Sequence, residues 1–276
     1  MDIKRIIINE QIKAKKQYGQ NFLINKNILT KIVDCSNIEN KNVIEVGPGL
    51  GSLTEYLLQK AKKVVCYEID SDMVKILNSN FNNTNLTILQ SDFLKVDLKQ
   101  DINDYFDNEE VTLVANLPYY ITTAILTKVL EESKKVGKIV VMVQKEVAKR
   151  LAGKPSTKDY NSLSVLIQYY MEAHILFNVS PKSFIPEPAV DSSVILLERK
   201  KQTLPLTSEA FFLKFNRAIF VQRRKTIYNN LKSSFGYNKE MIESILIKHN
   251  LSLNVRAEEL TVEQIVSLSN DFSLID

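Results

Sequence analysis

The sequence predicts an α/β fold, a largely parallel sheet covered on both faces, followed by a small all-helical domain. Three patterns predict it. Over the first two-thirds of the 276 residues, short apolar runs alternate with segments of helical period, the arrangement that places parallel strands between layers of helix. Near 163–197 three apolar runs arrive without long helices between them, as antiparallel strands closing the sheet would. Beyond the polar, proline-containing stretch 201–207 only helical periods remain. A boundary near 203 is expected, with domains of 1–202 and 203–276.

Taken in order, "KNVIEVG" (41–47) reads as a buried strand and "SLTEYLLQKA" (52–61) as an amphipathic helix. "KVVCYEI" (63–69), the helix "DMVKILNSNF" (72–81) and the strand "LTILQ" (86–90) come next. "VTLVAN" (111–116) and "GKIVVMVQ" (137–144) are strands separated by the helical "TAILTKVLEES". "SLSVLIQYY", "AHILFNVS" and "SSVILLERK" are the expected closing strands. In the last domain Ser208 opens "SEAFFLKFNRAIF" and Thr261 opens "TVEQIVSLSNDF", each with the short hydroxyl side chain that caps a helix N-terminus. "NKEMIESILIKHN" lies between them.

Composition narrows the function classes. The chain is 45% hydrophobic and 25% charged, enough for real cores. Its net charge of +4 is small, but its placement is uneven. From Glu198 to Lys225 eight basic residues face two acidic ones, +6, so the remainder carries about −2. A smaller basic cluster, Lys4, Arg5, Lys13, Lys15 and Lys16, lies near the N-terminus. Cys35 and Cys66 offer no disulfide framework, and His174 and His249 have no ligand-like spacing to them, so no metal site is expected. No apolar stretch approaches the length of a membrane span and no signal-peptide core is present. A soluble, reduced, cytoplasmic monomer is the simplest expectation.

Chemistry gathers at the strand ends. After the first strand comes "EVGPGLG" (45–51), where Gly47 and Gly49 let backbone approach a ligand closely. About twenty residues on, "YEID" (67–70) offers Glu68 to both hydroxyls of a ribose. This pairing fits a dinucleotide or an adenosine nucleoside. Pro48 removes an amide donor that a pyrophosphate would use. The third strand ends in "QSDFLK", where Asp92 can accept from the exocyclic amine of adenine and Phe93 can cover the ring. Acids after strands two and three suit S-adenosylmethionine better than NAD. Two plainer readings stay open, Glu68 as a surface acid and Asp92 as a helix cap. The strand 111–116 then runs into "NLPYY". Pro118 fixes its own φ and biases Leu117 toward extended backbone, leaving an amide, carbonyls and two tyrosine rings where the sheet opens.

With "NLPY" the chain resembles the N6-adenine methyltransferases, in which this tetrapeptide holds the target base. "YGQNFL" (18–23), "VGPGLG", "NLPYY", "QKEVAKRL" (144–151), "FIPEPAVDSSV" (184–194), "QRRKTIYNNL" (222–231) and "RAEEL" (256–260) occur in one order from about residue 16 to 268. Together they are similar to the ribosomal RNA small-subunit adenine N6-dimethyltransferases, the kasugamycin-resistance type. The resemblance implies a Rossmann-like S-adenosylmethionine-dependent methyltransferase sheet with a helical rRNA-binding domain. It implies dimethylation of two adjacent adenosines in the 3′-terminal hairpin of 16S rRNA, with the small ribosomal subunit as partner and no metal. Asn21, Leu23, Gly47, Gly49, Glu68, Ile69, Asp92, Phe93 and Asn116 are the implied cofactor contacts, with the segment at Asn21 and Leu23 closing over it.

Asn116, Leu117, Pro118, Tyr119 and Phe184 are the implied base contacts. The Asn116 side-chain oxygen and the Leu117 carbonyl accept the two N6 hydrogens, Tyr119 stacks on the base, and Phe184 lies on its other face. Arg223, Arg224 and Lys225 are expected to meet RNA phosphates. Ala124 stands where many members have proline, and Gly51 where others carry another small residue. Two alternatives are a large-subunit (23S) rRNA adenine methyltransferase and a non-catalytic small-subunit assembly factor.

Overall fold

A computed structural model describes residues 2–10, 12, 14, 15 and 18–275. The chain divides into two compact units, Met1–Ala148 with Ala173–Arg199, and Lys149–Glu172 with Lys200–Asp276. The first holds the sheet. Its elements are α1 (Ile3–Asn9), β1 (Phe22–Leu23), α2 (Lys26–Ser36), β2 (Asn42–Val46), α3 (Thr54–Leu57), β3 (Lys63–Glu68), α4 (Ser71–Asn80) and β4 (Leu86–Gln90). They continue with α5 (Leu98–Phe106), β5 (Val111–Asn116), α6 (Thr122–Glu132), β6 (Val136–Gln144) and α7 (Lys145–Leu151), then β7 (Met171–Val179), β8 (Phe184–Ile185) and β9 (Ser192–Arg199). The unit boundaries fall inside α7 and at the start of β7.

Among the described residues seven strands form one sheet in the order β4-β3-β2-β5-β6-β9-β7. The β2–β3, β3–β4, β2–β5 and β5–β6 pairs are parallel, and β9 runs antiparallel to β6. All five residues of β2 are buried, as a parallel strand covered on both faces requires. Strand order reverses between β2 and β5, so the crevice beyond their carboxyl ends is where such sheets bind ligands. Gly47, Glu68, Asp92 and Asn116 all lie at or just after those ends. The expected run of alternating strands and helices is therefore present, although α3 is a single turn within 52–61 rather than a full amphipathic helix.

Gly51 shows why this chain has glycine there. Its φ is +83°, and an added Cβ would lie 2.4 Å from Cε2 of Phe81 and 3.0 Å from Leu77. Gly51→Ala therefore combines left-handed strain with overpacking and is expected to cost about 2–4 kcal/mol. An unfolding midpoint in urea equal to that of the parent chain would show that the loop relaxes freely.

The second unit contains α8 (Ser162–Tyr170), α9 (Glu209–Ile219), α10 (Ile227–Phe235), α11 (Lys239–Lys248) and α12 (Val262–Ser273). Ser208 caps α9 through the Phe211 amide, and Thr261 forms a capping box with Gln264. Aromatic rings fill the core, with Phe215 on Phe272, Tyr237 on Phe272 and Tyr169 on Phe212 at centroid distances of 5.6, 5.4 and 4.8 Å.

One expectation needs correction here. "SLSVLIQYY" is helix α8, not a closing strand. Asn161 caps it, accepting from the Leu163 and Ser164 amides, while the Ser164 hydroxyl accepts from the Asn161 amide. An unbroken apolar run has no period that separates a buried strand from a buried helix, and the cap decides it. Tyr169 packs on Phe212 and the Tyr170 hydroxyl donates to Glu209, and 149–172 falls in the same unit as the last 77 residues, Lys200–Asp276. A single cut near 203 does not describe that arrangement.

Candidate active site

A cavity of about 200 Å³ opens at the carboxyl ends of β2, β3, β4 and β5. Twelve of the residues singled out above line it: Asn21, Leu23, Gly47, Gly49, Glu68, Ile69, Asp92, Phe93, Asn116, Leu117, Pro118 and Tyr119. They come from segments nearly a hundred residues apart: the parallel register gathers those at the ends of β2 to β5, while Asn21 and Leu23 arrive with the antiparallel β1–β8 ribbon.

The glycine loop is built by two short bonds. The Gly47 amide donates to the Tyr67 carbonyl at 2.9 Å, and the Gly49 amide donates to Glu68 Oε2 at 2.9 Å. Both glycines have positive φ, +69° and +57°, and a Cβ on Gly49 would sit 3.3 Å from the Phe22 ring. Glu68 is only 5% exposed, so it is not a surface acid. Its Oε1 accepts the Asp70 amide at 2.9 Å, and burial pushes its carboxyl upward against the pull of those amides. Asp92 lines the cavity and also caps the turn Phe93–Lys95 through the Leu94 amide at 3.0 Å. The capping reading and the cavity placement both hold. Phe93 is buried edge-on against Tyr67, with ring centroids 5.0 Å apart.

At the end of β5, Asn116 Nδ2 donates to the Asn21 carbonyl at 3.3 Å. That contact leaves Oδ1 as the acceptor end of the amide. The Leu117 amide is taken by the Met142 carbonyl, and the Pro118 carbonyl accepts from the Thr122 hydroxyl at 3.0 Å. Of the carbonyls flanking Pro118, that of Leu117 receives no hydrogen bond among the described residues. The Tyr119 hydroxyl lies 2.7 Å from the Ser192 hydroxyl, which holds the ring, and burial pushes its phenol upward. Tyr120, 59% exposed, also lines the cavity and packs on the backbone of Gly19. Ala124 is exposed in the first turn of α6, which begins at Thr122 without a proline.

One expectation is not met by the geometry, and one residue gains partners of its own. Phe184 does not reach the cavity. It is 1% exposed, pairs with Leu23 across the β1–β8 ribbon and packs into the apolar core with Val179 and Val194. It supports the strand beneath Leu23 and offers no face to a base. Arg223 is also engaged: its guanidinium pairs with Glu258 and donates to the carbonyls of Thr157 and Lys158. Arg224 and Lys225 are exposed beside it.

Sequence reading missed two carboxylates. Asp70, 2% exposed, accepts from Lys15 Nζ at 2.7 Å and Gln20 Nε2 at 2.9 Å, tying the segment before Asn21 to the end of β3. Asp70 stands in "YEID", but its partners are fifty or more residues away. Lys15 also pairs with Asp72 at 2.8 Å; Lys13 and Lys16 of the same basic cluster lie outside the described residues.

Glu45 is the second. It lines the cavity, accepts from the Thr54 hydroxyl at 2.7 Å and faces Cys66 Sγ at 3.4 Å. Burial, the largest influence, pushes its carboxyl up to about 7. The folded chain therefore holds this proton to higher pH than the unfolded chain, and stability falls as pH rises from about 4.5 to 7, then levels. Relative to the parent, Glu45→Gln should gain about 2–4 kcal/mol between pH 4 and 8, from roughly 1.4 kcal/mol per unit. Denaturant titrations at the two pH values measure this, and a constant difference between the proteins would refute it.

Among the described residues no group of three or more His, Cys, Asp or Glu side chains is placed to hold a metal ion. No helix among them is long and apolar enough to cross a membrane.

Residues 11–273 match the family described as ribosomal RNA adenine dimethylase. The chain is 45% identical over 274 residues to a ribosomal RNA small subunit methyltransferase A of Bacillus cereus (strain B4264), covering 97% of this chain and 94% of that one. In three dimensions it is similar to a dimethyladenosine transferase from Plasmodium falciparum, with a TM-score of 0.73 and 24% identity over 92% of this chain and 98% of that one. It is also similar to the 23S rRNA methyltransferase ErmE, with a TM-score of 0.65 and 24% identity over 91% of this chain and 100% of that one.

Proposed function

We propose the activity of this chain from the premise that it belongs to the ribosomal RNA adenine dimethylase family. It is an S-adenosylmethionine-dependent methyltransferase that dimethylates N6 of adenosine in small-subunit (16S) rRNA. Its targets are two adjacent adenosines of the 3′-terminal hairpin, and its partner is the small ribosomal subunit during biogenesis. The 45% identity is to relatives named for the small subunit, whereas the likeness to a large-subunit enzyme is one of fold.

The residues present fit the methyl donor. Glycines at 47 and 49 leave the cavity wall free of side chains, with Pro118 and Phe22 closing behind them. Glu68 is a buried acid lining the same cavity and would take the ribose hydroxyls. Asp92 would take the adenine amine, while Phe93 and Ile69 flank the ring and the segment at Asn21 and Leu23 covers it. When bound, S-adenosylmethionine supplies a methyl group already activated on a sulfonium.

The remaining task of the protein is to make a poor nucleophile competent. Adenine N6 has its lone pair delocalised into the ring. Asn116 Oδ1 and the Leu117 carbonyl accept its two hydrogens, which favours sp³ geometry and stabilises the charge that builds on nitrogen. Neither acceptor is basic enough to keep the surplus proton, which passes to water. Tyr119, held by Ser192, stacks on the base for roughly 1–3 kcal/mol. Orientation of nitrogen and methyl in line supplies much of the rest.

The single observation that carries this reading is the Asn116 amide, anchored by Nδ2 to the Asn21 carbonyl within the cavity that Glu68 and the glycine loop also line. Labelled methyl transfer tests it. Label should enter N6,N6-dimethyladenosine of immature small subunits and stay out of large subunits. No transfer would leave an assembly factor, and transfer into large subunits would reverse the substrate.

A further inference from the structure

Tyr120 stands at the mouth of the donor cavity with no part in the chemistry derived above. Tyr119 and Tyr120 form the centre of a turn, which the Ile121 amide closes on the Pro118 carbonyl at 3.3 Å. Tyr119 is held by Ser192, while Tyr120 stays 59% exposed. A single exposed aromatic ring needs no explanation by itself. This one lines the cavity beside Tyr18 and Gly19.

Gly19 is shaped to receive the ring. Its φ is +58°, in the left-handed region that glycine enters freely. Among the described residues, the atoms nearest a Cβ added there are Tyr120 Cδ1 at 3.3 Å and Cε1 at 3.5 Å. One edge of the ring therefore rests where a side chain at 19 would stand. That backbone is itself fixed. The Gly19 carbonyl accepts from Asn21 Nδ2 at 3.1 Å, the Asn21 carbonyl accepts from Asn116 Nδ2, and Gln20 donates to the buried Asp70. The phenol lies toward the acidic end of the cavity. Burial pushes it upward, and the Asp92 carboxylate, Tyr18 and the Glu68 carboxylate add to that push. Asp92 and Glu68 are the two acids proposed above to hold the adenosine of the donor.

We infer that Tyr120 is a further donor-binding residue, whose ring, braced on Gly19, roofs the adenosine half of the cavity. The inference rests on the proposed use of S-adenosylmethionine. Consecutive tyrosines then divide the work, Tyr119 meeting the target base and Tyr120 the donor. An aromatic ring suits this task, because it excludes water from a nucleoside and needs no hydrogen bond to do so.

Calorimetry on the full chain with S-adenosylhomocysteine, which has no methyl group to transfer, tests the roof. Tyr120→Ala should weaken binding about tenfold, within the usual worth of an aromatic face on a nucleobase. It should raise KM for S-adenosylmethionine while leaving kcat at saturating donor within a few-fold. Tyr120→Phe should bind as the parent does, because the ring and not the hydroxyl forms the roof. Affinity for immature small subunits without donor should be unchanged in both variants. Gly19→Ala supplies a second arm, since its Cβ displaces the ring. It should weaken binding about threefold in the parent and add no such loss in the Tyr120→Ala background. Left-handed strain at 19 is common to both backgrounds and cancels in the cycle, so the coupling reports the ring contact.

Parental S-adenosylhomocysteine affinity in Tyr120→Ala, an equal loss in Tyr120→Phe, or additive effects of the two alanine substitutions overturns the inference. Parental donor affinity with weakened subunit binding overturns it in favour of a ring that stacks on RNA. A parent chain that binds neither S-adenosylmethionine nor S-adenosylhomocysteine overturns the donor reading itself, and this roof with it.

Discussion

Asn116→Ala is expected to slow methyl transfer by about 10²–10³ while leaving cofactor affinity within a few-fold. Removing one donor or acceptor aimed at a developing charge costs about 2.7–4 kcal/mol, and the Asn116 oxygen is such an acceptor in the proposed mechanism. Cofactor affinity should suffer little. The amide's link to the Asn21 carbonyl is a 3.3 Å contact, and losing a neutral hydrogen bond of that kind costs about 0.5–1.5 kcal/mol at most. The Leu117 carbonyl remains in the variant, because Leu117 is held by its amide on Met142 and by a fully packed side chain. Residual turnover should therefore persist. A single-turnover assay on immature small subunits separates the two effects. Near-parental rates would remove Asn116 from the chemistry, and a rate loss matched by an equal loss of cofactor affinity would recast it as part of the cofactor wall.

The portion of this site that was legible in the sequence is the portion made by strand ends. A parallel strand is a contiguous apolar run, so its end is visible, and the residues just past that end face the crevice. Gly47, Glu68, Asp92 and Asn116 were found that way, as were the caps Ser208 and Thr261, which act on amides two or three residues away. Phe184 was misplaced for the opposite reason. "FIPEP" carries an aromatic at a loop, but which way the ring points depends on its pairing with Leu23, about 160 residues earlier. Arg223 reads as one cation of three until the Thr157 and Lys158 carbonyls are seen beside it. Asp70 looks like the end of "YEID" until Lys15 and Gln20 reach it. Long-range polar contacts leave no period in the chain, and these are the features that only the structure supplied.

Glu68→Ala should weaken S-adenosylmethionine binding by about 1.5–3 kcal/mol, the range for hydrogen bonds to a charged group. The structure gives the carboxylate a second task, since its two oxygens accept the amides of Gly49 and Asp70, both at 2.9 Å. Alanine loses the ribose acceptor and also leaves these amides without a partner, so the upper end of the range is expected. Glu68→Gln should recover only part of the loss. A glutamine offers one oxygen, and its NH₂ would point at whichever amide the other carboxylate oxygen had served. Acidity adds an independent signature. Hydroxyl donors favour the charged carboxylate, and burial raises the pKa of Glu68. Affinity should therefore decline on acidification at a higher pH than an ordinary glutamate would give, and that decline should be absent in both variants. Binding to small subunits should be retained, because the carboxylate faces the cavity. Calorimetry across pH decides it. Unchanged affinity in Glu68→Ala would show that this buried acid only braces the glycine loop, and a parental pH response surviving in both variants would assign the titration to Glu45.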